Sequence, residues 1–200
     1  FFFGHVQPES LFLCSLGQQV NKIRMLTEQQ LIAECLSGNR IAQRELYDRY
    51  KKAMYTLAYR ITGNFEDAGD ALQEGFVEVF RHLGQFRKES TLGAWIKVII
   101  VRKSLQQKRM EVFEPLTGQT NEPFVDWIAD SVNAAHLEEA ILSLPVGYRT
   151  VFVLTEVEGY THHEVAQICG ISEGTSKSQL FYAKKRLKTI LTSKVCDGNK

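Results

Sequence analysis

Between Tyr160 and Leu180 the chain reads Tyr-Thr-His-His-Glu-Val-Ala-Gln-Ile-Cys-Gly-Ile-Ser-Glu-Gly-Thr-Ser-Lys-Ser-Gln-Leu, an order that few folds accommodate. Two short helices that cross closely need a small residue at the crossing, and Ala166 supplies it between Val165 and Cys169. The sharp turn that follows needs a backbone tolerant of positive φ, which Gly170 provides. Ile171 plugs the corner, and Ser172 is placed to cap a second helix. The apolar residues of that helix, Leu180, Ala183, Leu187 and Ile190, recur every three or four places. Left facing outward near its start are Glu173, Thr175, Lys177, Ser178, Phe181 and Tyr182, the set a recognition helix offers to a major groove. Lys184, Lys185, Arg186 and Lys188 follow as phosphate contacts. The stretch from Leu137 to Leu191 is therefore expected to be a helix-turn-helix that binds duplex DNA. One position is discordant. Ser176 stands where an apolar residue usually buries, and a core hydroxyl without a partner costs about 1 to 3 kcal/mol unless it bonds back to its own helix.

The net charge of +1 looks unpromising for a DNA binder, because affinity comes largely from neutralised phosphates. The distribution says otherwise. From Gln85 to Arg109 the cations Arg87, Lys88, Lys97, Arg102, Lys103, Lys108 and Arg109 face a single acid, Glu89. From Gly174 to Val195 no acid opposes Lys177, Lys184, Lys185, Arg186, Lys188 and Lys194. From Met110 to Tyr148 there is no Lys or Arg, while Glu111, Glu114, Glu122, Asp126, Asp130, Glu138 and Glu139 accumulate. Two basic modules joined by an acidic connector fit a nucleic-acid partner better than solvated faces do.

Helical spacing continues upstream. Leu31, Ile32, Cys35 and Leu36 form one set; after Gly38-Asn39 come Ile41, Leu46, Tyr47, Tyr50, Met54, Leu57 and Ala58. Thr27 can cap the first of these helices with Gln30 at the capping-box position. Thr62-Gly63-Asn64 separates them from a helix over Phe65 to Leu83, which Gly84 stops. A loop from Gln85 to Ser90 leads to another helix from Thr91 to about Lys108. Its β-branched run Val98 to Val101 is compatible with a strand but lacks alternation, so helix is the preferred reading. Pro115, Gly118 and Pro123 mark residues 110–135 as a flexible acidic linker. The expected class is all-α: two small helical domains over residues 25–109 and 136–193, with a disordered leader or misplaced start over 1–24 and a disordered tail over 194–200.

Cys14, Cys35, Cys169 and Cys196 lie far apart without ligand spacing, so no metal is expected and reduced thiols in a cytoplasmic setting are. No apolar run has the length of a membrane span, and the Phe-rich start lacks a basic n-region. No nucleophile triad or phosphate loop is present, and His162-His163-Glu164 lacks the spacing of a zinc protease. The expectation is no catalysis, no cofactor and no small-molecule substrate.

Leu144-Pro-Val-Gly-Tyr-Arg-Thr-Val-Phe-Val-Leu, Glu158-Gly-Tyr-Thr-His-His-Glu-Val-Ala and Gly174-Thr-Ser-Lys-Ser together resemble region 4 of the extracytoplasmic-function (ECF) sigma factors of bacterial RNA polymerase. Phe65-Glu-Asp-Ala-Gly-Asp-Ala-Leu-Gln-Glu-Gly-Phe-Val-Glu-Val-Phe resembles their region 2, and the likeness spans Leu26 to Leu191. It implies a sigma factor that binds core polymerase at the β′ clamp and β flap, recognises both promoter elements and promotes DNA melting. Carried over by position, Asp70, Leu72, Gln73, Glu74 and Phe76 match the clamp-docking helix. Phe86, Arg87, Lys88, Ser90, Trp95, Arg102 and Lys103 match the part that holds an unstacked base of the downstream element, where stacking groups and cations are needed. Trp95 is also in register with the apolar face, which favours a core residue over a base contact. Glu173, Thr175, Lys177, Ser178, Phe181, Tyr182 and Lys185 match the reader of the upstream element. The likeness further implies an anti-sigma partner. Departures are Arg102 where relatives often have Asn, and Gln179 and Tyr182 where they often have Arg, so a relative's promoter sequence does not transfer. Gly69 and Gly75 each cost a helix about 1 kcal/mol relative to Ala, which predicts a clamp helix fully ordered only on polymerase. The competing reading is a stand-alone helix-turn-helix regulator.

Overall fold

The computed structural model describes residues 23–107 and 134–197; the linker, the tail residues 198–200 and the leader up to residue 22 lie outside the described residues. The described residues form helices α1 (Glu28–Leu36), α2 (Arg40–Thr62), α3 (Phe65–His82), α4 (Leu92–Gln107), α5 (Ala134–Leu142), α6 (Val146–Phe152), α7 (His162–Cys169) and α8 (Glu173–Asp197). No strand occurs among them, and the class is all-α. A turn of 3-10 helix, Leu83–Gln85, follows α3, and α6 runs on through a π-helical turn, Val153–Val157.

Local chemistry sets the ends. Thr27 and Gln30 form a capping box at α1, and Asn39 accepts from the Ile41 and Ala42 amides at α2. Gly63 ends α2 at φ 70°, a left-handed conformation that costs a residue with a Cβ about 1 kcal/mol or more. Asn64 then accepts from the Glu66 amide at 2.7 Å to open α3.

Helices α1 to α4 enclose one core around Leu31, Leu46, Met54, Ile96 and Ile100. Ile23 belongs to it at 6% exposure, and the Arg49 guanidinium donates to the Ile23 and Arg24 carbonyls at 3.4 and 3.0 Å. Ile23, two residues ahead of Met25, thus packs into this core. At the other expected edges, α5 begins two residues inside the supposed linker, and α8 extends to Asp197.

A second core draws residues from both helical units. Ala140, Ile141, Leu144, Val151, Leu154, Val165, Ile168, Ala183 and Leu187 cluster with Leu57 and Ile61 of α2 and Val101 and Leu105 of α4. This explains the run Val98 to Val101. Ile96 and Ile100 face the first core while Val101 and Leu105 face the second, so α4 is apolar on two sides and shows neither alternation nor a clean polar face.

Candidate functional site

On α3 the residues expected to dock on a partner divide by burial. Asp70, Gln73 and Glu74 are exposed. Leu72 and Phe76 are not: at 6% and 3% exposure they pack into the first core, Phe76 edge-on to Tyr47 with ring centroids 4.8 Å apart. In this chain they support the helix from beneath. Val77, which sequence reasoning passed over, is 57% exposed. With Asp70, Gln73 and Glu74 it completes an i, i+3, i+4, i+7 stripe, a spacing that could have found it. Gly75 also has a packing role. A Cβ there would lie 2.3 Å from Ile100 Cδ1, so the glycine sets how closely α3 approaches α4, whereas Gly69 faces open space.

The loop after α3 presents Arg87, Lys88 and Ser90 to solvent, with Lys88 at φ 60°. Phe86 and Trp95 are both half-buried, their ring centroids 5.4 Å apart and their planes tilted by 44°. Both rings rest on the first core, and each keeps part of its surface free. Arg102 is exposed two helical turns beyond Trp95, and half-buried Lys103 reaches to 4.0 Å from Glu74 of α3. Lys97, a member of the basic block, is instead paired with Glu158.

The helix-turn-helix is built as its residues require. Thr161 and Glu164 form a capping box on α7, whose carboxylate those bonds hold below the usual glutamate range. Gly170 turns at φ 70°, and Ser172 Oγ accepts from the Thr175 amide at 2.9 Å to start α8. Ser176 is fully buried, and its hydroxyl lies 2.9 Å from His162 Nδ1. The discordant serine therefore bonds across to α7 rather than back along its own helix. His163 repeats the cross-link one step outward. Its Nδ1 lies 2.7 Å from Glu173 Oε1 and its Nε2 2.9 Å from Gln167 Nε2, which an Nδ1–H tautomer satisfies on both sides. The His163 hydrogen bond holds the Glu173 carboxyl below its ordinary range. Two histidines that read as a polar helix opening thus fasten the first helix to the second.

On the outer side of α8, Glu173, Lys177 and Lys185 are exposed, and Thr175, Ser178, Phe181 and Tyr182 are half-buried. Tyr182 stacks on Tyr148 of α6 with centroids 6.1 Å apart and meets Phe181 edge-on at 5.4 Å. Lys184, counted as a phosphate contact, is 2.9 Å from Glu156. Gln179 is buried, and among the described residues its Oε1 and the Thr150 hydroxyl have no hydrogen-bond partner. Cys169 is the last residue of α7; burial pushes its thiol up to about 12 against the opposing influence of Arg102 of α4.

Three surfaces result: an acid, amide and valine stripe on α3, a cationic loop with two aromatic rings beside it, and a braced α8 face with cations and aromatics. No group of three or more His, Cys, Asp or Glu residues able to hold a metal occurs among the described residues, and none of their helices is long and apolar enough to cross a membrane.

Comparison with known proteins matches residues 46–112 to the family described as Sigma-70 region 2 and residues 135–187 to Sigma-70, region 4. The ECF RNA polymerase sigma factor SigM of Mycobacterium tuberculosis is 30% identical over 166 residues, covering 82% of this chain and 85% of that protein. Among solved structures, CnrH in complex with the cytosolic domain of CnrY superposes with a TM-score of 0.53 at 24% identity, covering 83% of this chain and 97% of that one. The sigma factor RpoE in complex with the anti-sigma factor NepR from Bartonella quintana gives 0.54 at 20% identity, covering 74% and 96%. These two share the fold.

Proposed function

The chain belongs to the ECF group of the sigma-70 family, and from that premise we propose that it binds core RNA polymerase, selects promoters through two separate surfaces and assists strand opening. The observation that carries this reading is the braced helix α8. Its buried serine is satisfied, its N-terminus is capped, and its outer face offers Lys177, Ser178, Tyr182 and Lys185 to a groove. It serves the upstream element.

The downstream element falls to Phe86, Trp95, Arg87, Lys88, Ser90, Arg102 and Lys103. Two tilted, part-exposed rings give a flipped base something to stack on, and the surrounding cations hold the single strand's phosphates. Capture of that base is how a protein without covalent chemistry promotes melting. Binding the unstacked form shifts the duplex equilibrium by no more than its differential affinity for that form. The α3 stripe of Asp70, Gln73, Glu74 and Val77 docks on the β′ clamp, with Leu72 and Phe76 fixing its register from the core. Region 4 adds a contact to the β flap. The domain limits that fit this division are residues 23–109 and 134–193, with the acidic stretch between them as connector. NepR on RpoE supports an anti-sigma partner for this chain as well.

The reading is tested by mixing the chain with core polymerase and separating the complex by size. Stable association is expected for the wild type and at least tenfold weaker association for the Asp70→Ala, Gln73→Ala pair. Unchanged association of that pair removes the clamp assignment. Tight, dimeric binding to an operator without polymerase favours a stand-alone regulator instead.

A further inference from the structure

Among the described residues Lys88 alone carries a side chain into the left-handed region, at φ 60°; every other residue there is glycine. In that region an L side chain presses its Cβ against the following carbonyl oxygen, which is why lysine seldom adopts it. The side chain of Lys88 is exposed, so no packing of its own holds the turn. The two ends of the loop do. Upstream, the Phe86 amide donates to the Leu83 carbonyl at 3.2 Å and closes the 3-10 turn. Downstream, Thr91 Oγ1 accepts from the Ala94 amide at 3.2 Å, and the Thr91 carbonyl accepts from the Trp95 amide at 3.1 Å, which caps α4. Residues 87–90 lie between these anchors, and they reverse the chain so that the rings of Phe86 before them and Trp95 after them share one face, 5.4 Å apart. A left-handed residue makes such a reversal in one step. Strain of this kind persists where the surroundings fix it, and it gathers at sites that clamp a ligand.

We propose that Lys88 is a positioning residue of the downstream-element site, acting through its backbone more than its charge. The inference rests on the proposed function. The left-handed turn folds the loop back beside the Phe86 and Trp95 rings, so that their platform stays open to an unstacked base and Arg87 and Ser90 stand at its edge. Both rings also rest on the first core, so the turn does not decide whether the unit folds. It decides where the loop runs over the rings. An ordinary φ at this position fails to reverse the chain, and the loop and the rings no longer present one surface to the strand.

Three substitutions separate backbone from charge. Lys88→Gly, Lys88→Ala and Lys88→Val all lose the ammonium, but glycine takes a left-handed φ freely, alanine at the cost lysine already bears, and valine least readily because its branch adds crowding. Each full chain is combined with core polymerase on promoter DNA in which 2-aminopurine replaces the bases of the downstream element one at a time, and the fluorescence rise gives the rate of opening. Opening should be fastest for Lys88→Gly, slower for Lys88→Ala and slowest for Lys88→Val, with the first and last about fivefold or more apart. Association with core polymerase and binding to DNA carrying the upstream element alone should be the same for all three, which reports that each is folded. Beside Trp95→Ala the order should collapse, because the turn acts through that ring. Equal opening rates for the three variants overturn the inference, whether they match the wild type or share a loss, and so does an order that keeps its full size beside Trp95→Ala. If the wild-type chain opens no DNA with core polymerase, the proposed function falls and the inference with it.

Discussion

Gly69 and Gly75 lie on the same helix, six residues apart in register, and replacing each with alanine should have opposite effects. Helix propensity favours alanine by about 1 kcal/mol at either site. At Gly69 nothing lies within 4 Å of the new methyl, so Gly69→Ala is expected to stabilise by about 0.4 to 1 kcal/mol. At Gly75 the methyl meets Ile100 Cδ1 at 2.3 Å, and Ile100 is fully buried with no solvent to swing into. Overpacking of this kind costs about 1 to 3 kcal/mol. It offsets or exceeds the propensity gain, leaving Gly75→Ala neutral to about 2 kcal/mol destabilised. The variants should therefore differ by roughly 1 to 3 kcal/mol, or several degrees in Tm at 2 to 4 °C per kcal/mol for a chain of this size. Urea unfolding of the full chain measures it. Ile100→Val supplies the control. Alone it should cost about 0.5 to 1.5 kcal/mol, but beside Gly75→Ala it removes the clashing methyl, so the double variant should be more stable than the sum of the singles. If both alanines stabilise equally and Ile100→Val adds without coupling, then Gly75 does not set the approach of α3 to α4.

Three further outcomes follow from the second unit. Thr150→Val removes a buried hydroxyl that lacks a partner at nearly constant shape and should raise stability by up to about 1 kcal/mol in thermal unfolding; a clear loss would reveal a bond on that hydroxyl. His162→Ala strands the Ser176 hydroxyl and should cost about 1 to 3 kcal/mol, while adding Ser176→Ala in that background should cost almost nothing, and additive losses would show that the two are uncoupled. Glu173 has its carboxyl held below the ordinary value of 4.5 by His163, so its contribution is complete above that value and disappears as pH falls through the lower folded-state value. Glu173→Gln should thus lower Tm near neutrality and match the wild type in acid, and a difference independent of pH would refute the assignment.

How much could be read from sequence depended on whether the signal was local. The caps at Thr27 and Ser172, the turn at Gly170 and the helical class rest on neighbours in the chain, and each appears where its residues place it. The stripe on α3 was legible in its polar members, and the helical spacing that joins Val77 to them was also local, although residue type alone does not distinguish an exposed valine from a core one. Leu72 and Phe76 illustrate the converse: matching a functional helix by position does not say which side of it a residue occupies. Ser176 appeared defective only because its partner, His162, lies on another helix. The hydrogen bond from Arg149 to Ile61 was invisible for the same reason. The acceptor is a backbone carbonyl 88 residues away, and carbonyls have no sequence signature. The apolar run in α4 did carry a trace of the second core, since a helix buried on two sides needs two neighbours.

The central claim is that this chain gives polymerase its choice of promoter. It is tested most directly by transcribing fragmented genomic DNA of the source organism with core polymerase, with and without the chain, and mapping the 5′ ends of the RNA. The account predicts starts that depend on the chain and lie downstream of one shared pair of sequence elements. Lys177→Ala with Lys185→Ala should weaken use of the upstream element, and Trp95→Ala should leave binding of duplex promoter but slow its opening. RNA ends that are the same with and without the chain would contradict it.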